Sequence, residues 1–116
     1  MFRKALALNY AEAEADYTVD DDDYYVGVDS TAAAVTVTIP DSVLSPAGRT
    51  LVFFDVGGDA GTNNITIEDE DSTEITVLDA DGASAQVIST GSGWIVMSPV
   101  GLTGPVGPTG PTGPSG

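Results

Sequence analysis

The residues best suited to chemistry in this chain are carboxylates. Four run together as Asp20-Asp21-Asp22-Asp23, three as Asp69-Glu70-Asp71, and Asp79-Ala80-Asp81-Gly82 opens like a calcium loop. Hard cations prefer such oxygens, and a pair of carboxylates can divide the acid and base roles of glycoside cleavage. Each reading meets an obstacle. Neighbouring side chains on a strand or loop diverge, so four consecutive acids do not face one ion. The loop-like stretch lacks the later ligands and the terminal Glu of a calcium site. With 18 acids in 116 residues, some pairs lie close by chance. Solvated acidic turns are therefore the expectation, with no metal site, no catalytic residue and no cofactor. The absence of Cys and His also removes thiol and imidazole mechanisms, zinc sites and disulfides. Gly57-Gly58-Asp59-Ala60-Gly61 lacks the Lys and the following helix of a phosphate cradle, and reads as a turn. The expectation is a protein that is not an enzyme.

Three bases against those acids leave a net charge of −15, which repels phosphate backbones and argues against nucleic acid as a partner. The opening residues mimic a signal peptide, with Arg3 and Lys4 before an apolar run. That run, Ala5 to Leu8, falls well short of the roughly 7–15 residues a signal needs. No apolar stretch of about 18 residues follows, so no membrane insertion is expected.

The elements that carry these residues divide into three segments. Residues 1–15 form an arm in which Phe2, Leu6, Leu8 and Tyr10 stand beside Arg3 and Lys4. Even spacing suits a strand, while Leu6, Tyr10 and Ala13 also fit one side of a helix, so periodicity leaves both open. The arm is either a frayed terminus or an anchor whose apolar groups cover a surface.

Residues 16–98 form a β body. Val35, Val37 and Ile39 alternate with Thr36 and Thr38 up to Pro40, as in a half-buried strand. Ile65-Thr66-Ile67 and Ile75-Thr76-Val77 repeat the pattern, and Leu51-Val52-Phe53-Phe54 suggests a strand buried on both faces or at a subunit contact. Tyr24–Val28, Ser84–Ile88 and Trp94–Met97 add strands, with Asp16–Val19 a further candidate. Turn residues separate the runs at 8–12-residue spacing, which predicts an all-β fold, a small antiparallel β-sandwich or jelly-roll-like module.

Residues 99–116 change character. Glycine recurs in strict phase at Gly101, Gly104, Gly107, Gly110, Gly113 and Gly116, with Pro105, Pro108, Pro111 and Pro114 directly after four of them. This is the collagen rule, in which three polyproline-II chains wind together and only glycine fits at the axis. Such a repeat demands a homotrimer or another three-chain assembly. Short repeats wind only when something holds their starts together, and the β body is the natural clamp. A trimer triples the −15 charge in a small volume. Molar salt shortens the screening length to about 3 Å, so the composition suits very salty surroundings, the alternative being an ordinary acidic protein with bound divalent cations.

The body also resembles the small β modules of tailed-virus fibre proteins. The likeness covers roughly residues 17–97 and rests on several short stretches taken in order. They include Tyr17-Thr18-Val19, Asp22-Asp23-Tyr24, Val26-Gly27-Val28-Asp29 and Ala34 to Pro40, then Gly48 to Asp55 and Gly93-Trp94-Ile95-Val96. Gly61-Thr62-Asn63-Asn64-Ile65-Thr66-Ile67 is the most specific. The resemblance implies trimeric fibres on a virion, often next to collagen-like shafts, that serve host attachment. It implies that the arm (Phe2, Arg3, Lys4, Leu6, Leu8, Tyr10) docks on other virion proteins and that a distal part outside this sequence meets the host receptor. The acid runs at 20–23 and 68–71 exceed that pattern and fit a virus of a halophilic archaeon. Tail and capsid fibres are both compatible. The rival expectations are a receptor- or carbohydrate-binding module using Tyr24, Tyr25 and Trp94 as platforms, and a cellular surface collagen-like protein.

Overall fold

The computed structural model describes residues 8–44 and 46–97. Nine strands dominate: β1 Tyr10–Ala13, β2 Tyr17–Thr18, β3 Tyr25–Val28, β4 Val35–Ile39, β5 Thr50–Asp55, β6 Ile65–Asp69, β7 Glu74–Leu78, β8 Ser84–Ser89 and β9 Trp94–Met97. The single helical element among the described residues is a 3-10 turn, Asp41–Leu44, directly after Pro40. None is long and apolar enough to cross a membrane. The fold is all-β, as the alternating pattern predicts. Sheet A runs β1-β3-β5-β8-β9 and sheet B runs β2-β4-β6-β7.

Strand direction departs from expectation. Successive strands alternate between the sheets as far as β6, so the first six form three stacked two-stranded coils. Within each sheet those strands are parallel: β1 with β3, β3 with β5, β2 with β4, and β4 with β6. Only β7 on β6, β8 on β5 and β9 on β8 are antiparallel. The antiparallel, jelly-roll-like connectivity expected from the sequence is thus corrected to two mixed sheets. Parallel neighbours need a long crossover, most often a helix. Here a strand of the opposite sheet is the crossover, so the parallel arrangement leaves no helical signature in the sequence.

The core lies between the sheets. Val26, Val28, Leu51, Phe53 and Val87 of sheet A and Val35, Val37, Ile39, Ile65 and Ile67 of sheet B belong to one buried cluster. Removing a side chain of this size from water contributes about 1.5–3 kcal/mol. β4 keeps the expected alternation, with its valines and isoleucine buried and its threonines half-buried. The apolar run in β5 splits: Leu51 and Phe53 are buried, whereas Val52 and Phe54 are half-buried on the outer face of sheet A. Residues 10–13, placed in the arm by composition, pair with β3 and make the edge of sheet A. Phe2, Arg3, Lys4 and Leu6 and the whole Gly-X-Y repeat from Gly101 to Gly116 lie outside the described residues.

Candidate functional site

The acid runs do not converge into a centre. Among the described residues, no group of three or more acids is placed to hold a metal ion. Asp20, Asp21 and Asp22 are exposed, as expected of a solvated turn, but Asp23 is buried. Its Oδ2 accepts the Tyr17 hydroxyl at 2.5 Å and the Asp20 N–H at 2.9 Å. Desolvation, then the hydrogen bond to Asp23 and the charges of Asp23 and Asp20, push the Tyr17 phenol up to about 12. Arg49 donates from Nη2 to the Asp23 carbonyl oxygen at 2.8 Å, tying the acidic turn to β5. One member of the run therefore holds the turn shut while the others stay in solvent.

Asp55, which no motif distinguishes in the sequence, is the most fully engaged acid. It ends β5, is buried, and accepts backbone N–H groups from Gly58 at 2.9 Å, Ala60 at 3.0 Å and Gly82 at 2.9 Å. Burial pushes its carboxyl up, but the N–H groups of Gly82, Ala60, Gly58 and Asp59 more than offset this and leave it below the ordinary range. Gly58 and Gly82 both have positive φ, 78° and 76°, a conformation that glycine adopts without strain. The glycine-rich loop is thus a turn, as read from its residues, and its amides embrace an internal carboxylate. The sequence carries only a generic cue, Asp55-Val56-Gly57-Gly58, because an Asp near a turn can draw that turn's amides onto itself.

Asp69, Glu70 and Asp71 occupy the β6–β7 hairpin. Asp69 Oδ1 accepts the N–H groups of Asp71 and Thr73, each at 2.9 Å. Desolvation, followed by the charges of Glu70, Asp71 and Asp69, raises the carboxyl of nearby Asp41. Glu68 and Glu74 stand directly opposite each other in this pair, and like charges so placed are destabilising. Glu74→Lys is therefore expected to stabilise the fold by about 0.2–1 kcal/mol at low salt. That gain should vanish in molar KCl, where screening cuts the pair energy. Paired thermal melts at the two salt levels check it.

A cavity of 180 Å³ lies between Glu14, Asp29, Thr31 and Ala32. Its most engaged acid, Asp29, is committed to the chain itself: Oδ1 accepts the Thr31 N–H at 3.0 Å. Hydrogen bonds from the Thr31 side chain and backbone hold its carboxyl below the ordinary range. Nothing in this cavity forms an acid–base pair with a positioned third group.

The surface that stands out is apolar. Register places Tyr10, Tyr25, Val52, Gln86 and Met97 in one row across the outer face of sheet A. Glu12, Gly27, Phe54 and Ser84 form the next row, and Thr50, Ile88 and Ile95 a third. The Tyr10 ring lies over Gly27, where an added Cβ would sit 2.6 Å from its hydroxyl, and packs on Phe54 at 6.0 Å between centroids. A hollow of 140 Å³ lined by Val52, Ser84, Ala85, Gln86 and Met97 opens in the same sheet. The outer face of sheet B is more polar, with Thr36, Thr66 and half-buried Val77 in one row and Thr38 beside Glu68.

The aromatic residues weighed as sugar platforms do not assemble into one. Tyr24 and Tyr25 meet edge to face at 4.6 Å. Tyr25 shares the outer row with Met97, whereas Trp94 is paired with buried Ser89 and packs against the core. Tyr25 and Trp94 thus project from opposite faces of sheet A. No protein-family model and no curated protein matches the chain.

Proposed function

We propose that this protein is the base of a trimeric virion fibre, on the tail or the capsid, that carries a host-attachment tip away from the particle. The strict Gly-X-Y repeat carries the reading, because it calls for three chains and directly follows the β body. In this reading the body is a trimer clamp and residues 101–116 begin a collagen-like shaft. At about 3.1 Å per residue, that stretch extends roughly 50 Å. The strand order supports the design. β1 and β9 are opposite edges of sheet A, four strand spacings or about 19 Å apart. An arm before β1 and a shaft after β9 therefore attach at opposite ends of the body. The arm docks on other virion proteins, and the receptor is met by a distal part outside this sequence.

The acid-rich surface and the Glu68–Glu74 pair fit a particle of a halophilic archaeal virus, synthesised in the host cytoplasm and working outside it in concentrated salt. A receptor- or carbohydrate-binding module is less well supported, because Tyr25 and Trp94 share no face.

Light scattering of the full chain in molar KCl and at low salt tests the proposal. A species near three times 11.8 kDa at high salt that loosens at low salt is expected. A trimer indifferent to salt removes the halophile element, and a monomer at every salt overturns the fibre. Gly107→Val should abolish the cooperative melting of the shaft locally, since only glycine fits at the triple-helix axis. Circular dichroism melts that do not change with this substitution would count against a shaft.

A further inference from the structure

Five of the seven large hydrophobic residues exposed among the described residues, Tyr10, Tyr25, Val56, Ile95 and Met97, belong to the outer side of sheet A. Tyr10 is 50% exposed, Ile95 54% and Met97 45%, so β1 and β9, from opposite ends of the body in sequence, leave apolar surface in solvent. Contiguous patches of this kind mark interaction sites. We infer that this face is the trimer contact: three copies set the outer faces of their sheets A around one axis, which runs across the strands from β1 to β9. The inference rests on the trimeric reading above and names the surface that makes the trimer.

Two further observations select two more copies of this chain as the occupant. Gly101 follows Met97 by four residues, a reach of at most about 14 Å. Three repeats can wind together only if three β9 strands lie close to a common axis, and the row ending at Met97 leads along such an axis to the shaft. Charge makes the same choice. Among the described residues, Glu12 is the only acid at the outward positions within the paired strands of sheet A, and its carboxylate accepts the Tyr10 hydroxyl at 3.0 Å. The opposite side of the body carries Glu68 and Glu74 and leads into the acidic hairpin. Packing sheets A together therefore points the densest negative charge of each copy away from the other two. Val52 and Phe54, left half-buried by the single chain, become interior in such a trimer, which accounts for the unbroken apolar run in β5.

The test uses the full chain in molar KCl, with mass from light scattering and fold from circular dichroism. The wild type and Thr66→Glu, on the outer face of sheet B, are expected to be trimers. Tyr25→Glu and Ile95→Glu are expected to fall to monomers with unchanged β signal, because both positions are open to solvent in the single chain. A second readout does not depend on disrupting the contact. The chain has no Cys, so Tyr10→Cys, Ile95→Cys and Met97→Cys each introduce a single thiol. Oxidation should link up to about two-thirds of the chains into pairs at one or more of these positions, since three symmetry-related thiols pair only two at a time. Thr66→Cys should stay unlinked. A wild-type trimer in which both Glu variants remain trimeric and none of the three thiols links overturns this face while leaving the fibre reading standing. A wild-type monomer removes the fibre reading and this inference together. In that case, a rise in dye-accessible apolar surface on deleting residues 1–7 from the monomer names that segment as the cover.

Discussion

Asp55→Ala is expected to destabilise the body by about 2–6 kcal/mol, since the buried Ala60 N–H left without a partner costs about 1–3 kcal/mol and each part-buried bond from Gly58 and Gly82 contributes about 0.5–1.5 kcal/mol. Three backbone N–H groups, from Gly58, Ala60 and Gly82, end on this one carboxylate. They come from two loops, the first between β5 and β6 and the second between β7 and β8. Removing the acceptor unties both loops from the end of β5. Against a total of about 5–15 kcal/mol for a domain, such a loss removes a large share of the stability. Urea denaturation of the purified chain in molar KCl measures it, and an unchanged midpoint would refute the structural role given to Asp55. Asp55→Asn keeps one side-chain acceptor and should fall between the two.

The same carboxylate sets a pH dependence whose sign follows from its lowered pKa. A group held below its unfolded value contributes stability that is present above the unfolded pKa, near 3.9 for Asp, and is lost as pH falls through the folded value. The advantage of wild type over Asp55→Asn should therefore be full above about pH 4 and shrink in stronger acid. The comparison must be a difference between the two proteins. Acidification also discharges the other acids and relieves the repulsion of a chain at −15, which acts in the opposite direction.

Phe53→Ala should cost about 3–5 kcal/mol, the range for emptying a buried aromatic site. Phe53 is the largest fully buried side chain, on the central strand of sheet A, with register partners Val26 and Ala85 on either side. Small neighbours such as Ala85 cannot close the space, so a cavity remains and its cost adds to the lost transfer energy. Phe54→Ala removes the same group one position later, yet its ring packs on Tyr10 at the outer face. Its effect on the fold of one chain should be smaller, and its effect on assembly larger. Denaturation in urea reads the first and light scattering the second. Equal losses of unfolding free energy for the two variants would contradict the division of β5 into an inner and an outer side.

That pair of phenylalanines also shows where sequence reading stops. Alternation with a period of two is local, so Val35, Val37 and Ile39 identify their strand and their buried face without help from the rest of the chain. The same holds for the Gly-X-Y phase from Gly101 onward, which is a rule about single positions. Leu51-Val52-Phe53-Phe54 offers no alternation, and only contact with the opposite sheet decides that Leu51 and Phe53 point inward. Strand direction is equally invisible, because a side chain buries the same face whether its neighbour runs parallel or antiparallel. Among 18 acids, the two that are buried, Asp23 and Asp55, are chosen by the amides and the hydroxyl that tertiary packing brings to them. The outer row from Tyr10 through Tyr25, Val52 and Gln86 to Met97 spans nearly the whole body in sequence. By itself the sequence determined most of the strands of the body, its charge and the phase of the Gly-X-Y repeat. The tertiary structure decided which residues share a surface, because register between strands distant in sequence is set by packing and not by any local pattern.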